Sequence, residues 1–83
     1  MNTEKLSIGR FCYDYRKNIL ELTLDDMEKE TGIPLKTLSG FENGRSSNMG
    51  IVFKYLTVSK DVNNRMFFLN KLYEIIERGE NNG

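Results

Sequence analysis

The sequence has no histidine and no tryptophan, one cysteine and one proline. Without histidine, His-based acid–base catalysis is excluded and most zinc ligand sets cannot be assembled. A single cysteine, Cys12, rules out an internal disulfide and any small secreted scaffold that depends on one. A reducing, cytoplasmic setting is expected. No apolar run reaches the length of a membrane span, and the first residues lack a signal-peptide core, so no membrane partner is expected. Twelve basic residues balance twelve acidic ones. Nothing in the total charge draws the chain to nucleic acid; any such role has to come from how the charges are distributed.

What remains is a globular balance, 39% hydrophobic and 29% charged over 83 residues. That length supports one domain, 1–83, with a modest core and expected fraying at 1–6 and 79–83. Apolar residues recur at helical spacing and no segment reads as a strand, so the expected fold class is all-α. In the first helix, capped by Ser7, the apolar face is Ile8, Phe11, Cys12, Tyr15, Ile19 and Leu22. Gly9 weakens this helix unless another backbone comes close there. Cys12 lies on the apolar face and is expected to be a packing thiol.

The central stretch, Thr23 to Arg45, reads as helix, sharp turn, helix. Thr23 caps the first helix and Asp26, three residues on, supplies a variant of the capping box. Asp25 and Asp26 suit the positive end of the helix dipole. Gly32 is the expected left-handed stop, and Pro34 is expected at the first position of the next helix. Met27, Ile33, Leu38 and Phe41 are expected to point inward. Asn43-Gly44 is a strong stop signal. A helix from about Met49 to Leu56 or Thr57 follows, buried through Ile51, Val52, Tyr55 and Leu56. A last helix, capped by Asp61 or Asn63, runs to about Arg78. Its apolar residues cover more than half its circumference, which implies burial on two sides.

On these residues the chain resembles the phage repressor and Cro family of helix-turn-helix proteins, also called the xenobiotic-response-element type. Thr23, Met27, Gly32, Ile33 and Leu38 match the family's cap, apolar and turn positions. Phe41-Glu42-Asn43-Gly44-Arg45 is similar to its apolar-Glu-x-Gly-basic ending. The resemblance runs from about Ile8 to Ile76. It implies a compact five-helix lambda-repressor-like DNA-binding domain, with helix 34–43 in the major groove of double-stranded DNA. Three positions depart from the pattern. Leu24 replaces a Gln that contacts DNA in several members. Glu28 stands where a small residue lets the motif helices cross closely. Arg16 is the candidate partner of Glu42, but the segment from it to Thr23 is about one residue longer than usual.

Carried over residue by residue, the resemblance implies a DNA-contact set of Leu35, Lys36, Thr37, Ser39, Gly40, Asn43, Arg45, Ser46 and Ser47. Lys36 can donate to guanine or phosphate, and Leu35 can touch a thymine methyl. Thr37, Asn43, Arg45, Ser46 and Ser47 are candidate phosphate partners. The charges agree in part. Between Pro34 and Lys60 stand Lys36, Arg45, Lys54 and Lys60 against Glu42 alone, whereas Glu21, Asp25, Asp26, Glu28 and Glu30 face only Lys29 in the preceding stretch.

The expected function is a sequence-specific, repressor-like transcriptional regulator acting as a homodimer through the last helix, by Met66, Phe67, Leu69, Tyr73 and Ile76. The alternative is a protein-interaction module on the same fold, with an antirepressor, antitoxin-like or enzyme-inhibitor role and a protein partner. An enzyme is not expected, nor any cofactor. Metal binding by Asp25, Asp26 and Glu30 is a weak reading, because acidic residues at a helix start already serve the dipole.

Overall fold

Apolar residues every third or fourth position commit this chain to helices whose inner faces have to meet. In the computed structural model the backbone is described for residues 3–46 and 48–82, and side chains for 8–46 and 48–78. Five α-helices follow in order, with no strand among the described residues. They are α1 (Thr3–Asp14), α2 (Leu24–Thr31), α3 (Leu35–Glu42), α4 (Met49–Val58) and α5 (Val62–Asn82). α1 continues without a break into a π-helical segment, Tyr15–Leu20. α1 thus begins at Thr3, ahead of the expected cap Ser7, whose side chain lies outside the described residues. α5 runs past Arg78 to Asn82. Of the ends expected to fray, Met1, Asn2 and Gly83 lie outside the described residues.

The π-helical segment changes which residues reach the core. In a π-helix each N–H bonds five residues back, and Glu21 N–H does so to Arg16 O. The wide turn therefore places Leu20, not Ile19, behind Tyr15. Leu20 packs on the core, whereas Ile19, expected on the buried face, is exposed. The segment closes on Glu21, whose φ of 55° is left-handed.

The core is built from all five helices. Cys12, Met27, Leu38, Val52, Tyr55 and Phe68 have no accessible surface, and Tyr15 and Phe41 have almost none. Phe68 sits between Phe11 and Tyr15, with ring centroids 4.9 and 4.8 Å away. This locks α5 onto α1. Burial, with a smaller push from Glu42, raises the Cys12 thiol far above its usual range, so it is inert packing material.

Gly9 is where α1 crosses the end of α3. A Cβ there would stand 2.9 Å from the Glu42 carbonyl oxygen and closer still to that of Phe41. Both are backbone atoms that cannot rotate away. The closeness of the crossing is the reason for the glycine.

Candidate nucleic-acid interface

α2, the three-residue turn Gly32-Ile33-Pro34 and α3 form a helix-turn-helix unit. Its first cap is built as the sequence suggests. Thr23 Oγ1 accepts from Asp26 N–H at 3.1 Å, and Asp26 Oδ2 accepts from Thr23 N–H at 3.0 Å. These bonds, the backbone one first, hold the Asp26 carboxyl below its usual range. Gly32 turns the chain with φ 77°. α3 ends in a Schellman arrangement: Arg45 N–H donates to Gly40 O at 2.9 Å and Gly44 N–H to Phe41 O at 3.1 Å. Gly44 supplies the left-handed residue, φ 82°.

Pro34 is not the first helical residue of α3, as the sequence suggested. Its ψ of 141° is extended, and α3 starts at Leu35. The start of α3 is capped from another helix. Glu28, on α2, reaches across and accepts the Leu35 N–H at 3.2 Å. Pro34, as the residue before the helix, has no side-chain acceptor to offer, and Glu28 satisfies one of the free N–H groups of the first turn in its place. Glu28 does swing to the edge of the α2–α3 crossing, as its size demands, and its carboxylate comes to stand at the N-terminus of α3.

α3 buries Leu38, Phe41 and Glu42 and leaves its other side open. Lys36, Thr37, Asn43 and Arg45 are exposed, while Leu35, Ser39, Gly40 and Ser46 are half-buried along the same helix and its exit. Ser47 lies outside the described residues. The set is thus gathered on α3 and the chain leaving it, with two qualifications from the hydrogen bonds. Asn43 Nδ2 donates back to Ser39 O at 2.9 Å. One of its two amide N–H groups is therefore engaged inside the helix, the other reaches Ser39 Oγ only at 3.5 Å, and its carbonyl oxygen faces outward without a partner among the described residues. Leu35 N–H is engaged by Glu28, which removes it as an anion donor.

Gly40 has open space beside it. A Cβ there would meet only Arg45 Cδ, at 3.9 Å. The stem of Arg45 thus passes beside the bare Gly40 backbone. Among the described residues neither Lys36 nor Arg45 makes an ion pair.

The acid on α3, Glu42, does not face outward. It is 7% exposed and Arg16 is 5% exposed. Arg16 Nε and Nη2 donate to its two carboxylate oxygens at 2.8 and 3.0 Å, a bidentate pair. Tyr55 O–H donates to the same carboxylate. Arg16 Nη1 donates to Leu22 O at 2.8 Å. The Glu42 hydrogen bond raises the affinity of Arg16 for its proton. Burial first, then Glu42, raises the Tyr55 phenol far above its usual range, so it stays a neutral donor. One network thereby ties the π-helical segment, the entrance to α2, α3 and α4 together. With Glu42 neutralised from within, the charges that α3 and its exit present outward are those of Lys36 and Arg45.

Two further surfaces are exposed and apolar. On α4, Met49 and Phe53 stand one turn apart. On α5, Val62, Met66, Leu69 and Tyr73 are exposed on one flank, with half-buried Ile76 continuing the row. Phe67, expected among these contacts, lies on the opposite flank. Its ring centroid is 6.4 Å from those of Phe11 and Tyr15, and it lines a cleft of about 260 Å³ with Phe11, Tyr15, Ile19 and Lys71. At 100° per residue, Phe67 sits across the helix from the row through Leu69.

Among the described residues no group of three His, Cys, Asp or Glu side chains could hold a metal ion, and no helix is long and apolar enough to cross a membrane. No family model matches the chain, and comparisons with curated proteins and with solved structures gave no match.

Proposed function

We propose that this protein is a sequence-specific DNA-binding transcriptional regulator of repressor type, a binding protein and not an enzyme. The observation that carries this reading is the open face of α3. It belongs to the second helix of a helix-turn-helix, its one acid is neutralised internally by Arg16, and Lys36 and Arg45 are its outward charges. In such units the second helix enters the major groove and its N-terminal residues meet base edges. Lys36 then addresses guanine or phosphate, Thr37 and Ser46 address phosphate, and Arg45 follows the backbone. Glu28 joins the contact set: at the N-terminus of α3 its second oxygen can accept from a cytosine N4 amine. Because one such domain offers few contacts, two copies act together through α5 on a two-part site.

The acidic character of α2, with Asp25, Glu28 and Glu30 exposed, and of Glu21 just before it, favours the second reading, a protein-interaction module such as an antirepressor. Binding to duplex DNA as a function of salt separates the two. A DNA reader loses affinity steeply as salt rises, with a log–log slope of about −0.9 per phosphate contact. Lys36→Glu with Arg45→Glu is expected to lower affinity about 100-fold or more, since each contact is worth roughly 1–3 kcal/mol. Both residues are exposed, so thermal stability stays near that of the parent. Unchanged DNA affinity in this variant would hand the case to the protein-interaction reading.

A further inference from the structure

The cleft of about 260 Å³ opens between α5 and the rod formed by α1 and the π-helical segment. Its interior is aromatic. The ring centroids of Phe11, Tyr15 and Phe67 stand 6.0 to 6.4 Å from one another, within the range of ring–ring attraction. Tyr15 is almost fully buried, and its hydroxyl already donates to Asn64 O at 3.3 Å. It therefore offers the cleft its ring alone. Ile19 and Phe67, half-open to solvent, form the walls. The π-helical turn has moved Ile19 out of the core and into this wall; such turns recur at functional sites.

The border of the cleft carries two opposite charges, Asp14 and Lys71. They do not pair with each other. Asp14 Oδ1 stands 3.6 Å from Arg10 Nε, and Lys71 Nζ stands 3.9 Å from Glu74 Oε1. Both pairs lie within one helix and are solvent-exposed, so they are weak and give way to a better partner. Asn18 adds an amide that can donate or accept. We propose that this cleft binds a free aromatic amino acid. Its ring packs on Phe11, Tyr15 and Phe67, its carboxylate meets Lys71 and its ammonium meets Asp14. Charge selects this class. An aromatic acid without the amine is drawn to Lys71 and repelled by Asp14, and an aromatic amine meets the reverse. Only the zwitterion gains at both. The volume lies just below that of drug-sized sites, which limits the ligand to one or two rings. The site is separate from α3, and its readout does not involve DNA.

The chain contains no tryptophan, so tryptophan is the probe. Its fluorescence, excited where tyrosine does not absorb, is expected to shift to shorter wavelength on titration with the full-length protein, with saturation below millimolar concentration. The ligand binds only the folded state and is also expected to raise the melting temperature. Tryptamine and indolepropionate, each lacking one charge, are expected to bind about three- to fivefold more weakly, the worth of one exposed ionic contact. Lys71→Gln is expected to weaken tryptophan by the same factor and to tighten tryptamine. Asp14→Asn is expected to weaken tryptophan and to tighten indolepropionate. These crossed responses separate a lost contact from a damaged fold, which would weaken all three ligands together. Phe67→Ala is expected to abolish binding. No shift of tryptophan fluorescence at millimolar concentration would overturn the proposal. So would equal affinity for the three ligands, or charge variants that leave tryptophan affinity unchanged.

Discussion

Replacing Arg16 by alanine is expected to destabilise the domain by about 3–5 kcal/mol, because it strands a buried carboxylate without its counter-ion. For 83 residues, total stability is on the order of 4–12 kcal/mol, so the variant stands at the edge of unfolding at room temperature. Glu42→Ala is expected to cost a similar amount. It leaves the Arg16 guanidinium buried and removes the acceptor of the Tyr55 hydroxyl. The double variant is expected to be no worse than the poorer single one, since neither charge then remains unpaired. Denaturant titration of the parent and three variants measures the coupling. Simple additivity of the two losses would mean that the pair is not the element joining α3 to the π-helical segment.

The second large effect concerns two glycines with opposite outcomes. By helix propensity alone, alanine at either Gly9 or Gly40 would stabilise its helix by about 1 kcal/mol. At Gly9 the new methyl would collide with the Phe41 and Glu42 carbonyls. α1 and α3 would have to separate, disturbing both the core and the Arg16–Glu42 pair. A net loss of about 2–3 kcal/mol is expected, in the range of over-packed cores. At Gly40 the methyl meets only the flexible stem of Arg45, so Gly40→Ala is expected to raise the melting temperature by about 4–8 °C. The same methyl would stand between α3 and a groove wall. Gly40→Ala is therefore expected to gain stability while losing DNA affinity. A protein that becomes more stable with unchanged affinity would place the groove elsewhere on α3.

These glycines also show what a sequence can and cannot convey. The buried faces are legible because helical spacing is a property of the chain itself: Met27, Leu38, Phe41, Val52 and Tyr55 read as inward and are inward. Caps are legible for the same reason, as Thr23 with Asp26 and the Asn43-Gly44 stop are local. Gly9 and Gly40 look alike in sequence and differ only in what another helix places beside them. Ile19 reads as core under an α-helical period and is exposed, because the π-helical turn shifts the register by one residue. Glu28 reads only as a misfit at a helix crossing; its role as acceptor for Leu35 N–H depends on the crossing itself. Tyr55 reads as one more apolar residue, although its hydroxyl completes the network around Glu42. The width of the apolar surface on α5 is plain in sequence. Its division into the Leu69 row and the separate flank of Phe67 requires the position of Phe11 and Tyr15.

DNA recognition by the open face of α3 is tested most directly by selection from a random duplex pool, using the full-length protein at a fixed, stated salt concentration. The expected result is an enriched palindrome with half-sites about one helical turn apart, and no enrichment with the Lys36→Glu, Arg45→Glu variant. A pool that stays random with the parent protein, or one that the charge-reversed variant enriches equally well, would contradict the account.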